Sequence, residues 1–149
     1  MTQPGSVRLT VTVPVGQDAA FEAFTAEFDT WYRKGASWLG RHDPRTTLRF
    51  EPHQDGRLLE LGPQPTQVRE LARIAVWEPG RRLVFVDWRD TEVDVRFEAA
   101  EEGTRVVLEH RGLERLPAAK ARDVARYGWS RLAGWFEQYM LEAQRGDGR

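Results

Sequence analysis

The C-terminal segment constrains this chain most. From about Ala118 to Ala143 it reads as one amphipathic helix, introduced by Pro117, which suits a first helical turn. At about 100° per residue, Ala121, Ala125, Gly128, Trp129, Leu132, Trp135, Phe136, Tyr139 and Ala143 fall on one broad stripe. Arg122, Asp123, Arg126, Ser130 and Glu137 fall mainly opposite, and Tyr127 and Leu141 lie off the stripe. Gly128 on the apolar side costs about 1 kcal/mol of helix stability against Ala, so its place there implies close approach of a ring or a backbone. A helix this long with one apolar side needs a broad apolar partner, and the remaining segments supply only a sheet.

Those segments are short and mostly alternate. Val7, Leu9, Val11 and Val13 interleave with Arg8, Thr10 and Thr12, the period of a strand with one buried face, and Pro14 and Gly16 end it. Phe21, Phe24 and Phe28 have helical spacing between Asp18 and Phe28, and Trp31 and Tyr32 extend that apolar surface. Lys34 to Arg45 is expected to be loop. Thr46 to Glu51 and Arg57 to Leu61 read as a strand pair around a turn carrying Asp55-Gly56, a dipeptide that tolerates positive φ. Val68 to Glu78 reads as a strand before a Pro79-Gly80 turn. Leu83 to Trp88 is apolar on both faces, as a central strand is. Val93, Val95, Phe97 and Ala99 alternate with charged residues, and Val106, Leu108 and His110 share a face after the Glu101-Glu102-Gly103 turn. The expected fold class is α+β: a curved antiparallel sheet of six or seven strands wrapped around the long C-terminal helix, with short helices after the first strand. One domain is expected over residues 1–149, with tails at 1–6 and 145–149.

Six tryptophans in 149 residues, Trp31, Trp38, Trp77, Trp88, Trp129 and Trp135, exceed what a core of this size needs. Large rings also line apolar ligand pockets, where a few polar groups orient the guest. The net charge of −1 with both signs interspersed leaves no basic stripe for nucleic acid. There are no cysteines, so disulfides, thiolate catalysis and cysteine zinc sites are excluded. No apolar run reaches the roughly 20 residues of a membrane span. A cytoplasmic protein is expected. His42, His53 and His110 lie in three separate segments without metal-ligand spacing, so neither a metal nor another cofactor is expected. A Gly-rich phosphate loop and a Gly-x-Ser-x-Gly elbow are both missing from the sequence.

Three stretches carry a family resemblance. They are Val13-Pro14 with Ala20-Phe21-Glu22-Ala23-Phe24-Thr25; Val76-Trp77-Glu78-Pro79-Gly80-Arg81-Arg82-Leu83-Val84-Phe85; and Gly103 to His110, followed later by Gly128-Trp129 and Leu132. With the order of elements, they make the chain resemble the START-like, or helix-grip, superfamily, in the branch named after the activator of the Hsp90 ATPase. Gly80 stands where relatives place a second proline, and Trp88 comes one residue later than usual. The resemblance implies a pocket between sheet and helix for a lipid, a polyketide or another apolar molecule, and no fixed catalytic set.

On that reading the ligand-facing residues are Trp31, Trp38, Arg73, Trp77, Phe85, Trp88, His110, Trp129, Leu132, Trp135 and Phe136. His110 follows Val106 and Leu108 at period two and therefore faces inward. There it either polarises a carbonyl or exchanges a proton, or else it is a hydrogen-bonded histidine fixing a strand end. Arg73, beside Glu70, holds an anionic group if it points inward and is surface if it does not. Asp87 and Glu92 are a candidate carboxylate pair that nothing in their spacing requires. Trp129, Trp135 and Phe136 serve as core or as pocket wall, and Trp31 and Trp38 as lid or as anchors of a loop. Three functions remain open: a binding protein for a small hydrophobic molecule, which needs the fewest unseen features; a cyclase, aromatase or hydrolase using the same cavity; and a chaperone-cofactor-like interaction module. A protein partner or a homodimer also stays open.

Overall fold

The structure, a computed structural model, describes residues 5–32, 45–87, 90–127 and 130–147. Seven strands form one antiparallel sheet: β1 (Ser6–Val13), β2 (Thr47–Phe50), β3 (Arg57–Leu61), β4 (Val68–Glu78), β5 (Arg82–Asp87), β6 (Glu92–Ala100) and β7 (Gly103–Arg111). From one edge to the other the order is β1, β7, β6, β5, β4, β3, β2. The sheet curls into a half-barrel. Helices α1 (Gln17–Ala26) and α2 (Phe28–Trp31) follow β1, a 3₁₀ turn spans Leu113–Arg115, and α3 (Ala118–Tyr127) and α4 (Ser130–Asp147) end the chain. Together they form a helix-grip fold.

The turns sit where local chemistry demands them. Asp55 adopts φ +65° beside Gly56, and Gly80 adopts φ +77° between β4 and β5. Glu27 separates α1 from α2, so the expected single helix through Phe28 is two. The tails differ from expectation at both ends. Ser6 already belongs to β1, tied down where the Leu113 amide donates to the Gly5 carbonyl at 3.0 Å, and α4 continues to Asp147.

Cross-strand register sets out the concave face in rows. Val7, His110, Val93 and Phe85 form one, and Leu9, Leu108, Val95 and Leu83 the next. Val11, Val106 and Phe97 form a third. The helices cover these rows unequally. Helix α4 packs against β1 and β7, placing Leu132, Ala133, Phe136 and Met140 in the main core. The buried side of α4 is therefore rotated from the expected stripe: Met140 lies inside, Ala143 is exposed, and Trp135 and Tyr139 sit half-buried at the margin. Their polar tips explain this, because a ring bearing N–H or O–H is stable at a wet boundary. Helix α3 caps a smaller separate cluster, in which Leu113, Ala121 and Val124 pack with Val7 and Leu116.

The convex face is held by charge. Asp94 on β6 is buried and meets Arg82 at 2.9 Å, Arg111 at 3.0 Å and Arg96 at 3.3 Å. Arg111 also pairs with Glu92 and Glu109, so β5, β6 and β7 are cross-linked on this side. No described helix is long and apolar enough to cross a membrane.

Candidate functional site

One polar constellation interrupts the apolar concave face. Asp87 ends β5, Thr91 precedes β6 and His110 lies near the end of β7; all three are buried, His110 to 1% exposure. Antiparallel pairing brings these strand ends together, and the period of two turns Thr91 and His110 to the same side as Val93 and Leu108. The connecting turn is tight. The Asp87 amide donates to the Thr91 carbonyl at 2.9 Å, Asp90 takes φ +62°, and Arg115 donates to the Asp90 carbonyl at 2.7 Å.

The side chains form a chain of hydrogen bonds. The Thr91 hydroxyl donates to Asp87 Oδ1 at 3.0 Å, and the Thr91 backbone N–H reaches the same oxygen at 3.3 Å. His110 Nε2 lies 2.6 Å from Thr91 Oγ1. A hydroxyl has one proton. With that proton on the carboxylate, Nε2 is the donor to Thr91 Oγ1. The arrangement pins the turn and also holds an imidazole in one orientation on an apolar wall. Such a group is placed to take part in a hydrogen bond or a proton transfer with a ligand.

The other expected residues divide by position. Trp31 is an anchor: its ring packs on Phe24 and Phe28 at 5.0 Å and on Phe136 at 5.2 Å, and its N–H donates to the carbonyls of Ala23 and Phe24. Phe85 meets Phe50 at 5.4 Å, Trp135 meets Tyr32 at 5.6 Å and Trp77 meets Phe21 at 5.0 Å. Leu132 and Phe136 are fully buried in the same cluster. Arg73 does not point inward. Its side chain is 70% exposed and pairs with Glu70 at 3.3 Å, so it cannot hold a guest on the concave face. Glu92 faces the convex side with Arg111, which removes it from a carboxylate pair with Asp87. Trp38, Trp88 and Trp129 lie outside the described residues.

Two residues differ from the sequence reading: Thr91 was not singled out, and Leu9, expected on a buried face, is part-exposed. Thr91 extends the alternation of Val93, Val95 and Phe97 by one step, a signal that was present but hidden next to the turn. Leu9 shares the concave face with its partner Leu108, yet it is 38% exposed while Leu108 is fully buried. It lies between Val7 of the smaller cluster and Val11 of the larger one and belongs to neither.

The family model for activator of Hsp90 ATPase homolog 1-like proteins matches residues 15–140, from just after β1 into α4. The chain belongs to this family. No curated protein matches its sequence. Among solved structures, an AHSA1-like protein from Aeromonas hydrophila is 20% identical over 93% of this chain and 94% of its own, with a TM-score of 0.67. A protein from Rhodobacter sphaeroides is 18% identical over 96% and 93%, with a TM-score of 0.65. An anthrahydroquino-gamma-pyrone synthase, Txn09, solved in complex with a ligand, is 27% identical over 91% of this chain and 96% of its own, with a TM-score of 0.61. The first two likenesses establish the fold of this AHSA1-like protein.

Proposed function

We propose that this AHSA1-like protein binds a small hydrophobic molecule, lipid or polyketide-like, against the concave face of the sheet, with His110 as its polar anchor. The observation that carries this reading is the Asp87–Thr91–His110 chain, an oriented imidazole on a wall otherwise built from Val7, Val93, Leu108 and Phe85. Apolar walls with few convergent polar groups are how small-molecule sites are built. The exposure of Leu9 one row away supports an approach to that wall from the edge of β1. The likeness to Txn09 supports an aromatic polyketide as the guest.

Tryptophan fluorescence, titrated with a panel of fatty acids, anthraquinones and aromatic polyketides, tests the reading. A saturable response is expected from at least one class. His110→Ala and Thr91→Val should each weaken it by about tenfold, the worth of one well-placed hydrogen bond in a dry site. No saturable response from any class would sink the proposal.

A second reading, a ring-closing enzyme in the same cavity, is favoured by the Txn09 likeness together with the hydrogen bond that holds the His110 ring on Thr91. Its mark is turnover of a linear polyketide precursor that disappears in His110→Ala while binding persists. Binding without turnover leaves the first reading standing.

A further inference from the structure

A second site lies beside α1, at the margin of the aromatic core. A cleft of about 420 Å³ opens between α1–α2 and the free edge of β2, with Trp77 closing one end. Helix α1 turns Phe21 and Phe24 into the core and leaves Glu22 and Ala26 to this cleft. The walls are fixed independently of any guest. Asp29 accepts the Leu48 amide at 2.9 Å, which clamps α2 onto β2. Gln54 accepts the Trp77 amide at 3.1 Å and donates to the Ala75 carbonyl at 2.6 Å, which clamps the β2–β3 hairpin onto β4. Phe21 meets the Trp77 ring edge-on from the core side, and the half-buried indole lines the cleft.

Most arginines on the strands are paired. Arg57, Arg69, Arg82, Arg96, Arg105 and Arg111 all pair with carboxylates. Glu22 and Arg49 both line the cleft, on facing elements, yet among the described residues they pair neither with each other nor with any other charge. The cleft thus offers two carboxylates, Glu22 and Asp29, the second already accepting the Leu48 amide, one guanidinium, Arg49, and an apolar bed made by Trp77, Phe50, Ala26 and Pro52. Its volume is at the low end of the roughly 300–1,000 Å³ of small-ligand pockets.

We propose that this cleft binds a small zwitterion with an apolar body, of the free aromatic amino-acid class. The ammonium group meets Glu22 and the face of Trp77, the carboxylate takes the planar fork of Arg49, and the ring lies on Phe50 and Pro52. The site is separate from the concave face and holds whether or not the latter takes a ligand.

The test titrates ¹⁵N-labelled protein with L-phenylalanine, with phenethylamine, which lacks the carboxylate, and with 3-phenylpropionate, which lacks the amine. Saturable shifts are expected at the Trp77 indole and at the amides of Glu22 and Arg49 with phenylalanine, with about tenfold weaker binding of either half-ligand. Glu22→Gln and Arg49→Gln should each weaken phenylalanine by a similar factor, and because both side chains are exposed neither variant threatens the fold. Arg49→Gln should leave phenethylamine unaffected, and Glu22→Gln should leave phenylpropionate unaffected. Millimolar phenylalanine without saturable shifts, equal binding of the three probes, or shifts centred on His110 instead would each overturn the proposal.

Discussion

Phe136→Ala separates a ring that fills the fold from one that lines empty space. The Phe136 side chain has no exposure, and its ring meets Phe24 and Trp31 at 5.2 Å each. Removing a buried phenylalanine costs about 3–5 kcal/mol in lost transfer energy and residual cavity. Two aromatic contacts, worth about 0.5–1.5 kcal/mol each, put this site in the upper part of that range. Alanine itself suits α4, so no helix penalty is added. Leu9→Ala is the internal control. Leu9 is also on the concave side but 38% exposed and outside both clusters. Full burial of a leucine is worth about 1.5–3 kcal/mol, so partial burial without an enclosed void gives a cost of about 1 kcal/mol. Urea unfolding with the m-value held constant measures both. The expected result is a loss of about 4 kcal/mol for Phe136→Ala and about a quarter of that for Leu9→Ala, with Phe136→Ala alone gaining a dry cavity that takes a benzene-sized probe. Equal, small losses would refute the reasoning, because they would mean that Phe136 already borders unfilled space.

Two further predictions concern charge. Burial alone would raise the Asp94 pKa, but the hydrogen bond and charge of Arg82, with Arg111 and Arg96, hold it below the ordinary 3.8. A depressed carboxylate contributes its stability fully above pH 3.8 and loses it as pH falls through the folded value. Asp94→Asn should therefore cost about 2 kcal/mol at pH 7, and the gap to the parent should narrow below about pH 4; a gap constant down to pH 2 would contradict this. Tyr139 donates to the Glu27 carboxylate, and that bond, with burial and the negative charge, pushes its phenol up to about 12. The contact contributes stability below the ordinary value of 10 and loses it as pH rises through 12. In Glu27→Gln the NMR-detected titration of Tyr139 should move back toward 10, and an unmoved midpoint would show that Glu27 is not its cause.

The strands were legible because their code is local. β1, β6 and β7 alternate cleanly, and counting by twos from Val106 put His110 on the concave face, where it lies. Arg73 was not legible for a specific reason. β4 carries register shifts opposite Leu58/Leu59 and between Ile74 and Val76, and each shift changes which parity faces inward. Thus Leu71, Ala72 and Ile74 are all buried while Arg73 is not, a pattern that period two cannot produce. The position of Trp31 depends on the break at Glu27, which carries no glycine or proline to announce it. The relay through Thr91 required knowing that two strand ends and a turn meet, a contact between residues 19 apart in sequence.

The concave face divides its work along its length, and the division limits any guest. Toward β2 and α2 the space is taken by interlocked rings, Phe24, Phe28, Trp31, Phe50, Phe85 and Phe136. Toward β1 the wall is aliphatic, and its polar group is the tethered imidazole. A guest in the first region must displace packed aromatic area, at several kcal/mol per ring by the Phe136 argument. In the second, Leu9 is open while Leu108 and His110 are buried, so a guest would enter beside Leu9. On the proposed function an apolar ligand would lie across β1 and β7 with its polar end toward Thr91, and Leu9→Trp is the sharpest probe of that placement. A ring at this position should abolish the fluorescence response to ligand and leave the urea midpoint close to that of the parent. If binding survives Leu9→Trp unchanged while His110→Ala removes it, the guest reaches His110 from another side, and the approach along β1 is wrong.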